Sequence, residues 1–157
     1  PDDTEEEAAS MSKAGYDMIV FGLGRYGELI VKKLLDKGHT VLAIDFNPEE
    51  VKRWRSLGHA AIYGDACDPE FYHALNLKKT AWVISALPQR HMGITHQDPR
   101  KVIVRSLKDQ NFKGKIAIAC HNEDVAKEFE TLGTDLIFLP FHDAAERAVN
   151  LLHEFKR

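Results

Sequence analysis

The sequence predicts one α/β domain with a doubly wound, six-stranded parallel sheet. Short apolar runs alternate with segments of helical periodicity along most of the chain, which is the pattern of strands joined by crossover helices. The first run leads into Gly22-x-Gly24-x-x-Gly27, and the second ends in Asp45. A strand, a glycine turn and a helix, followed by a carboxylate about 20 residues later, are typical of a Rossmann-like nucleotide-binding fold.

Each predicted element has a local reason. The strands are apolar runs bounded by glycine, proline, aspartate or asparagine. Asn47 and Asp68 each precede a proline, so each is expected to cap a helix, and Gly38 stands where a glycine ends one. In chain order the predicted elements are strand 17–22, helix 25–37, strand 40–45, helix 48–57, strand 60–63, helix 69–75, strand 80–86, helix 100–110, strand 115–121, helix 123–132, strand 135–139 and helix 143–155.

Residues 100–110 form the most ambiguous segment, because three β-branched residues follow Lys101 and favour a strand. We predict a helix there. Parallel strands need a crossover of a dozen or more residues, and no other segment between the fourth and fifth strands can supply it. Asp98-Pro99 also has the form of a helix start.

Composition limits the classes of protein. The chain has 157 residues, a formal net charge of -3 and a pI near 6.3. It suits one domain, its scattered basic residues give no footprint for nucleic acid, and no apolar stretch approaches the ~20 residues of a membrane span. We divide it into an acidic leader or linker, residues 1–14, and a nucleotide-binding domain, residues 15–157. Because it opens at Pro1, we expect a piece of a longer polypeptide; the alternative is a true start at Met11.

The glycine turn is the predicted phosphate site. Gly22 allows a tight turn, Gly24 lets a pyrophosphate approach the backbone, and Gly27 lets helix and strand pack closely. The N–H groups and dipole of the helix would receive the phosphate. Arg25 and Tyr26 fill the variable positions, and the Arg25 guanidinium is expected beside the phosphate. The alternatives are that the glycines only tighten a turn and that Arg25 is a solvated first-turn residue.

Asp45 is the predicted ribose ligand. Its carboxylate would accept hydrogen bonds from both ribose hydroxyls and repel a 2′-phosphate. Phe46 and Asn47 follow it with no arginine, so NAD-type or plain adenosine nucleotides are expected in preference to NADP. Asp65 ends the third strand, where the adenine pocket is expected. The alternatives are that Asp65 caps a turn and that Asp45 caps the next helix.

The fourth strand is predicted to end at the crevice. Ser85-Ala86-Leu87-Pro88 stands where the strand order should reverse, and its small residues leave room for a ligand.

No catalytic or metal-binding residue is predicted. His91 and His96 lack a third ligand. Cys67 and Cys120 have neither metal-ligand nor Cys-x-x-Cys spacing, which predicts a reduced, cytosolic setting, and sequence identifies no base beside them. Hydride transfer would need a substrate pocket over the nicotinamide, and such pockets are usually built by a second domain.

Four motifs stand at a characteristic mutual spacing. They are Gly22-Leu23-Gly24-Arg25-Tyr26-Gly27, then Asp45, then Gly64-Asp65-Ala66-Cys67-Asp68-Pro69, and finally Leu132-Gly133-Thr134-Asp135 with Leu139-Pro140. This set resembles the Trk-N domain, also called the regulator of potassium conductance (RCK) N-terminal domain, over residues 16–152. Ordinary dehydrogenases seldom carry the third motif. The closing segment 140–148 and the helix before residue 110 look most like the C-terminal domain of Kef-type cation:proton antiporters.

The resemblance implies a cytosolic module that controls potassium channels, Trk and Ktr transporters or Kef-type antiporters by binding NAD(H), AMP or another adenine nucleotide. It implies phosphate on the glycine turn, ribose on Asp45, and adenine on Asp65 and the Ala66 backbone. The complete predicted nucleotide-binding set is Gly22, Gly24, Arg25, Tyr26, Gly27, Asp45, Phe46, Asp65, Ala66, Ala86 and Leu87.

Two features depart from the family pattern. Many relatives have an arginine on the fifth strand that reaches the phosphates; this chain has Ala119 there, which leaves the choice between dinucleotide and AMP open. The loop 89–97 also differs from the usual acidic stretch.

We expect the regulatory domain of a potassium or monovalent cation:proton antiporter. It would be joined to the transmembrane domain of the same chain, on the cytoplasmic side of the inner membrane, and would form a homodimer. Its amphipathic last helix would pack partly on a second copy or on the transporter; the alternative is that it only covers the sheet. The alternative functions are an NAD-dependent oxidoreductase fragment and a separate peripheral subunit of a Trk-type potassium transporter.

Overall fold

The sheet is parallel and doubly wound, as predicted. The computed structural model describes residues 10–22, 24–88 and 97–156, and within them the strand order is β3-β2-β1-β4-β5-β6. The strands are β1 (Met18–Phe21), β2 (Val41–Asp45), β3 (Ala61–Tyr63), β4 (Trp82–Ser85), β5 (Lys115–Ala119) and β6 (Leu136–Phe138). The helices are α1 (Arg25–Asp36), α2 (Pro48–Ser56), α3 (Pro69–Ala74), α4 (Pro99–Asp109), α5 (Glu123–Thr131) and α6 (Pro140–Glu154). The strand order reverses between β1 and β4, so their carboxyl ends border a crevice.

Every predicted element is present, and the ambiguous segment is helix α4. Asn47, Asp68 and Asp98 cap α2, α3 and α4, each accepting a hydrogen bond of 3.0 Å from a backbone N–H two residues later. Helix α6 begins earlier than the predicted start at Asp143. The reason is that the Asp143 carboxylate reaches back to accept the N–H of Leu139 at 3.1 Å, and proline occupies the first helical position.

Two apolar clusters hold the sheet between its helices. Ile19 and Phe21 of β1 face a cluster that α3, α4 and α5 complete, whereas Met18 and Val20 face a cluster that α1 and α2 complete. A central strand buried on both faces must be apolar at every position, which is why β1 reads as a continuous apolar run. The core therefore fixes the ends of β1, β2 and β4 relative to one another.

Helix α6 contributes nothing to either cluster. None of its residues is buried, and the side chains of Phe141, Leu152 and Phe155 are 81%, 75% and 76% exposed. This exposure disfavours the alternative in which the last helix covers the sheet. Among the described residues, no helix has the length and apolar character that crossing a bilayer requires.

Candidate functional site

The glycine turn after β1 is shaped by close backbone approaches. Gly22 has φ +97°, in the left-handed region, and its N–H donates to the carbonyl of Ile44 at 2.8 Å. A Cβ on Gly27 would lie 1.8 Å from the Gly22 carbonyl oxygen and 3.3 Å from the Ala86 Cβ. Only glycine fits at position 27, because a side chain there would push α1 away from β1 and β4.

Gly24 differs, because it has space around it. It is the N-cap of α1, with φ -71° and ψ -174°, and a Cβ there would meet no heavy atom of the described residues within 4 Å. No side chain caps α1, whereas α2, α3, α4 and α5 each begin with an asparagine or aspartate whose side chain accepts a backbone N–H. The start of α1 thus lacks a side-chain cap and has space beside Gly24, and the dipole of the helix favours an anion there.

That space is a cleft of about 410 Å³ at the carboxyl ends of β1, β2 and β4. This is the crevice where ligands bind in doubly wound sheets, and its volume lies within the range of small-molecule sites. The cleft is lined by Gly22, Gly24, Arg25, Glu28, Asp45, Phe46, Asn47, Glu50, Arg53, Leu87 and Pro88. Six of the predicted residues thus share one cleft: Gly22, Gly24, Arg25, Asp45, Phe46 and Leu87.

Asp45 is held in place by the chain that follows it. Its Oδ1 accepts the N–H of Asn47 at 2.8 Å, and the Asn47 side chain in turn accepts the N–H of Glu49 at 3.0 Å. Asp45 therefore orders the turn before α2, but the residue that caps α2 is Asn47, so the alternative in which Asp45 caps that helix is wrong. Ordering the turn does not exclude ribose binding, since a carboxylate has two oxygens and about four acceptor positions.

Three charged residues of the cleft were missed by the sequence analysis: Glu28, Glu50 and Arg53. Arg53 Nη2 lies 3.0 Å from both Glu28 Oε2 and Glu50 Oε2, so it links α1 to α2. Lys32 Nζ lies 3.1 Å from Glu28 Oε1. Hydrogen bonds from Lys32 and then Arg53 hold the pKa of Glu28 below its ordinary value. Helical spacing signals the Glu50–Arg53 pair, but no local pattern signals the pair between Arg53 and Glu28.

Tyr26 lies outside the cleft lining. Its side chain is half-buried, and burial, with a smaller contribution from the Asp143 carboxylate, raises its pKa. Ala86 packs behind the turn, 3.3 Å from where a Gly27 Cβ would be. Gly27 and Ala86 thus shape the turn without lining the cleft.

Asp65 and Ala66 also lie outside the cleft lining. The Asp65 carboxylate accepts the N–H of Cys67 at 2.9 Å, and the Ala66 carbonyl accepts the Tyr72 hydroxyl at 2.7 Å. Gly64 has a reason of its own, because a Cβ there would lie 2.4 Å from the Phe71 ring. Much of this motif therefore supports a turn and the start of α3, and the adenine role of Asp65 and Ala66 stays a prediction.

The two cysteines are free thiols held in the neutral form. Burial raises the pKa of Cys67, with a further contribution from the Asp65 carboxylate, and burial raises the pKa of Cys120. Neither has the lowered pKa of an activated nucleophile. Within the described residues no group of three side chains is arranged to hold a metal ion, and His91 and His96 lie outside those residues.

A model of the TrkA-N domain family matches residues 18–140. The chain belongs to the TrkA-N domain family. It is 28% identical over 131 residues to the Ktr system potassium uptake protein C of Bacillus subtilis, which covers 83% of this chain and 56% of that protein. It is 28% identical over 91 residues to the glutathione-regulated potassium-efflux system protein KefC of Escherichia fergusonii, covering 57% of this chain and 15% of that protein. This TrkA-N chain thus spans about half the length of the Ktr relative.

Solved structures share the fold of this TrkA-N chain. The NAD(P)-binding domain of an exopolyphosphatase-related protein from Archaeoglobus fulgidus superposes with a TM-score of 0.76 at 21% identity, over 89% of this chain and 99% of that one. The Shewanella denitrificans Kef C-terminal domain in its AMP-bound form superposes with a TM-score of 0.66 at 21% identity, over 86% of this chain and 80% of that one. The GsuK channel bound to NAD superposes with a TM-score of 0.65 at 12% identity, over 78% of this chain and 21% of that one. These likenesses confirm the Rossmann-like fold.

Proposed function

We propose that this TrkA-N domain binds an adenine nucleotide, AMP or NAD(H), and thereby regulates a potassium or monovalent cation:proton antiporter. The observation that carries the proposal is the uncapped start of α1, which opens into a cleft bordered on its other side by Asp45. A helix N-terminus attracts phosphate and a carboxylate accepts ribose hydroxyls, so the two groups match the two ends of a nucleoside phosphate. Two structural neighbours, the AMP-bound Kef C-terminal domain and the NAD-bound GsuK channel, agree with this ligand class.

Arg25 is the side chain best placed to neutralise a phosphate. The cleft lining holds two arginines, but Arg53 is already hydrogen-bonded to two carboxylates. Within the described part of the chain, Arg25 forms no ion pair. Phosphate would therefore contact the α1 N–H groups and Arg25, and ribose would contact Asp45. Adenine would lie towards Asp65 and the Ala66 backbone.

The ligand can be identified directly. The purified chain is denatured, and the mass of any released nucleotide is measured; calorimetry of the ligand-free chain with AMP, ADP, ATP, NAD and NADH then ranks the affinities. We expect one or more of these to bind with a stoichiometry of about one per chain. Absence of both released nucleotide and calorimetric binding would contradict the proposal.

We propose that α6 transmits the state of the cleft. Its apolar side chains are exposed, which suits packing on a second copy of the chain or on the transmembrane domain of the same polypeptide at the cytoplasmic side of the inner membrane. A nucleotide can shift transport only if it binds the active and resting arrangements with different affinity. Proteoliposomes of the intact protein test this, because Asp45→Ala should change the response of ion flux to nucleotide while leaving membrane insertion unchanged.

A second candidate is a separate peripheral subunit of a potassium uptake system. The match to the Ktr protein, at 131 residues, is longer than the 91 residues matched to KefC, which favours this candidate. The sequence of the intact gene product discriminates the two, since several apolar spans of about 20 residues in the same chain would support the antiporter. In both cases the domain binds nucleotide without turning it over, so it is not an enzyme.

A further inference from the structure

A second concave surface lies at the amino ends of the strands, on the side of the sheet opposite the cleft. It is a groove of about 1000 Å³ between the end of α3, the segment after α4, and the starts of β4 and β5 at Trp82 and Lys115. Parallel strands begin on this side and end at the cleft. The groove is therefore separated from the nucleotide cleft by the length of a strand, about 13 Å for four steps of 3.3 Å.

The groove is basic and lacks carboxylates. Its lining includes Lys13, Lys78, Lys113 and Lys115 together with His73, and among the described residues no aspartate or glutamate lines it. In the part of the chain that the structure describes, none of these four lysines forms an ion pair, whereas Lys32 and Lys101 pair with glutamates elsewhere on the surface. Four positive charges gathered on a chain of net charge -3 give this groove a local potential that attracts anions.

The walls of the groove are fixed by hydrogen bonds. His73 and Gln110 join α3 to the end of α4 at 2.8 Å between Nδ1 and Nε2. The Asn76 N–H donates to Ser12 Oγ at 2.6 Å, and the Lys115 N–H donates to the Ala81 carbonyl at 2.8 Å.

The floor of the groove is equally close-packed. A Cβ on Gly114 would lie 2.7 Å from each of the carbonyl oxygens of Thr80 and Ala81, so the chain comes too close there for any side chain. The groove is thus a built feature of the fold, and its lysines are displayed on a fixed frame.

We propose that this groove docks an acidic polypeptide segment of a partner protein. Carboxylates of the segment would pair with the lysines, and its backbone would meet the carboxamide of Asn111, which also lines the groove. The carboxamides of Asn76 and Gln110 are hydrogen-bonded within the protein and help to fix the groove walls. The concave shape favours an extended peptide over a flat anionic bilayer, because a peptide can enter the groove whereas a bilayer would contact only its rim. The proposal does not depend on nucleotide binding, since the two sites share no residue.

The test is fluorescence anisotropy with a labelled peptide of five Glu-Ser repeats, and with five Gln-Ser repeats as its uncharged counterpart. Lys78→Glu/Lys113→Glu reverses two groove charges. Lys52→Glu/Lys127→Glu makes the same change in net charge at exposed lysines outside the groove. We expect saturable, salt-sensitive binding of the acidic peptide, a loss of affinity of about tenfold or more in the groove variant, and affinity within about twofold of wild type in the control.

Several results would overturn the proposal. They are no saturable binding of the acidic peptide, equal loss in both variants, and binding of phosphatidylglycerol vesicles without binding of the peptide. Thermal melting of both variants, with the nucleotide-induced shift as a second readout, shows whether a loss of peptide binding reflects misfolding. An unchanged nucleotide shift in a groove variant that no longer binds peptide would support a separate site.

Discussion

Gly24 is the residue at which ligand binding and folding can be separated. Its φ and ψ, -71° and -174°, are those of extended backbone that any residue adopts, and a Cβ there would have no neighbour within 4 Å in the part of the chain that the structure describes. We expect Gly24→Val to fold, with a loss of about 1 kcal/mol because valine is a poorer N-cap than glycine. The two γ-methyl groups would occupy the space that a phosphate needs above the first turn of α1.

The expected signal is large enough to measure. A nucleotide at 100 times its dissociation constant stabilises the folded state by about 2.7 kcal/mol. For a domain of this length each kcal/mol raises the melting temperature by roughly 2–4 °C, so the wild-type chain should gain about 5–11 °C. Gly24→Val should show no shift at the same AMP or NAD concentration, and Gly24→Ala should show a smaller shift than wild type. Scanning calorimetry with and without nucleotide gives both quantities.

Gly27→Ala is the contrasting variant. Its Cβ would lie 1.8 Å from the Gly22 carbonyl oxygen, so it should lower the melting temperature even without nucleotide. A Gly24→Val chain that keeps the full nucleotide shift would refute phosphate binding at the turn. A wild-type chain with no shift for AMP, ADP, ATP, NAD or NADH would refute nucleotide binding altogether.

The remaining predictions concern selectivity, pH, assembly and catalysis. Asp45→Asn keeps an acceptor for the Asn47 N–H but removes the charge. In calorimetry it should weaken NAD binding by about 1–3 kcal/mol and reduce the difference between the NAD and NADP affinities. Equal affinities of the wild-type chain for NAD and NADP would contradict the ribose role of Asp45. Burial pushes the pKa of Asp17 up, but hydrogen bonds from His39 and Thr40 outweigh it and hold that pKa below 3.8. A carboxyl group whose pKa is lower in the folded than in the unfolded chain stabilises the fold above the unfolded-state pKa, and this contribution is lost as the pH falls through the folded-state pKa. In urea titrations the difference in free energy of unfolding between wild type and Asp17→Asn should therefore shrink below about pH 4. A difference that does not change with pH would argue against these hydrogen bonds. Leu152→Asp should lower the dimer fraction in light scattering without lowering the melting temperature of the monomer, since the Leu152 side chain is 75% exposed; an unchanged dimer fraction would place the interface elsewhere. NADH should not be oxidised with a panel of small carbonyl compounds. Steady turnover of NADH that is lost in Asp45→Asn would favour the alternative function, an oxidoreductase.

The elements of the fold could be predicted because their determinants are local. Caps such as Asn47 and Asp98 precede prolines in the sequence, and their side chains accept the expected backbone hydrogen bonds. The apolar β1 run and the glycine turn specify a buried strand and a tight turn within a dozen residues. The TrkA-N motifs could be recognised for the same reason, since each is a short string.

The rest depends on contacts between residues far apart in the chain. Arg53 meets Glu28 only because α1 and α2 lie on the same face of the sheet, so neither residue was assigned to the cleft from sequence. Helical periodicity in α6 shows an apolar face but not what the face covers, and the structure leaves it uncovered within the described chain. The basic groove gathers Lys13, Lys78 and Lys115 from three separate segments, which a scan for charge runs cannot detect.

Because α6 is exposed, packing on the sheet does not stabilise this helix. None of its fifteen residues is buried against the described part of the chain, and isolated helices of that length are marginal in water. If α6 packs on a second copy of the chain, as proposed, its helix formation and the association of the two copies form one coupled equilibrium, in which each step supplies part of the free energy of the other. Far-ultraviolet ellipticity should therefore rise with protein concentration. The helical signal of α6 would then report association of the chains without a label.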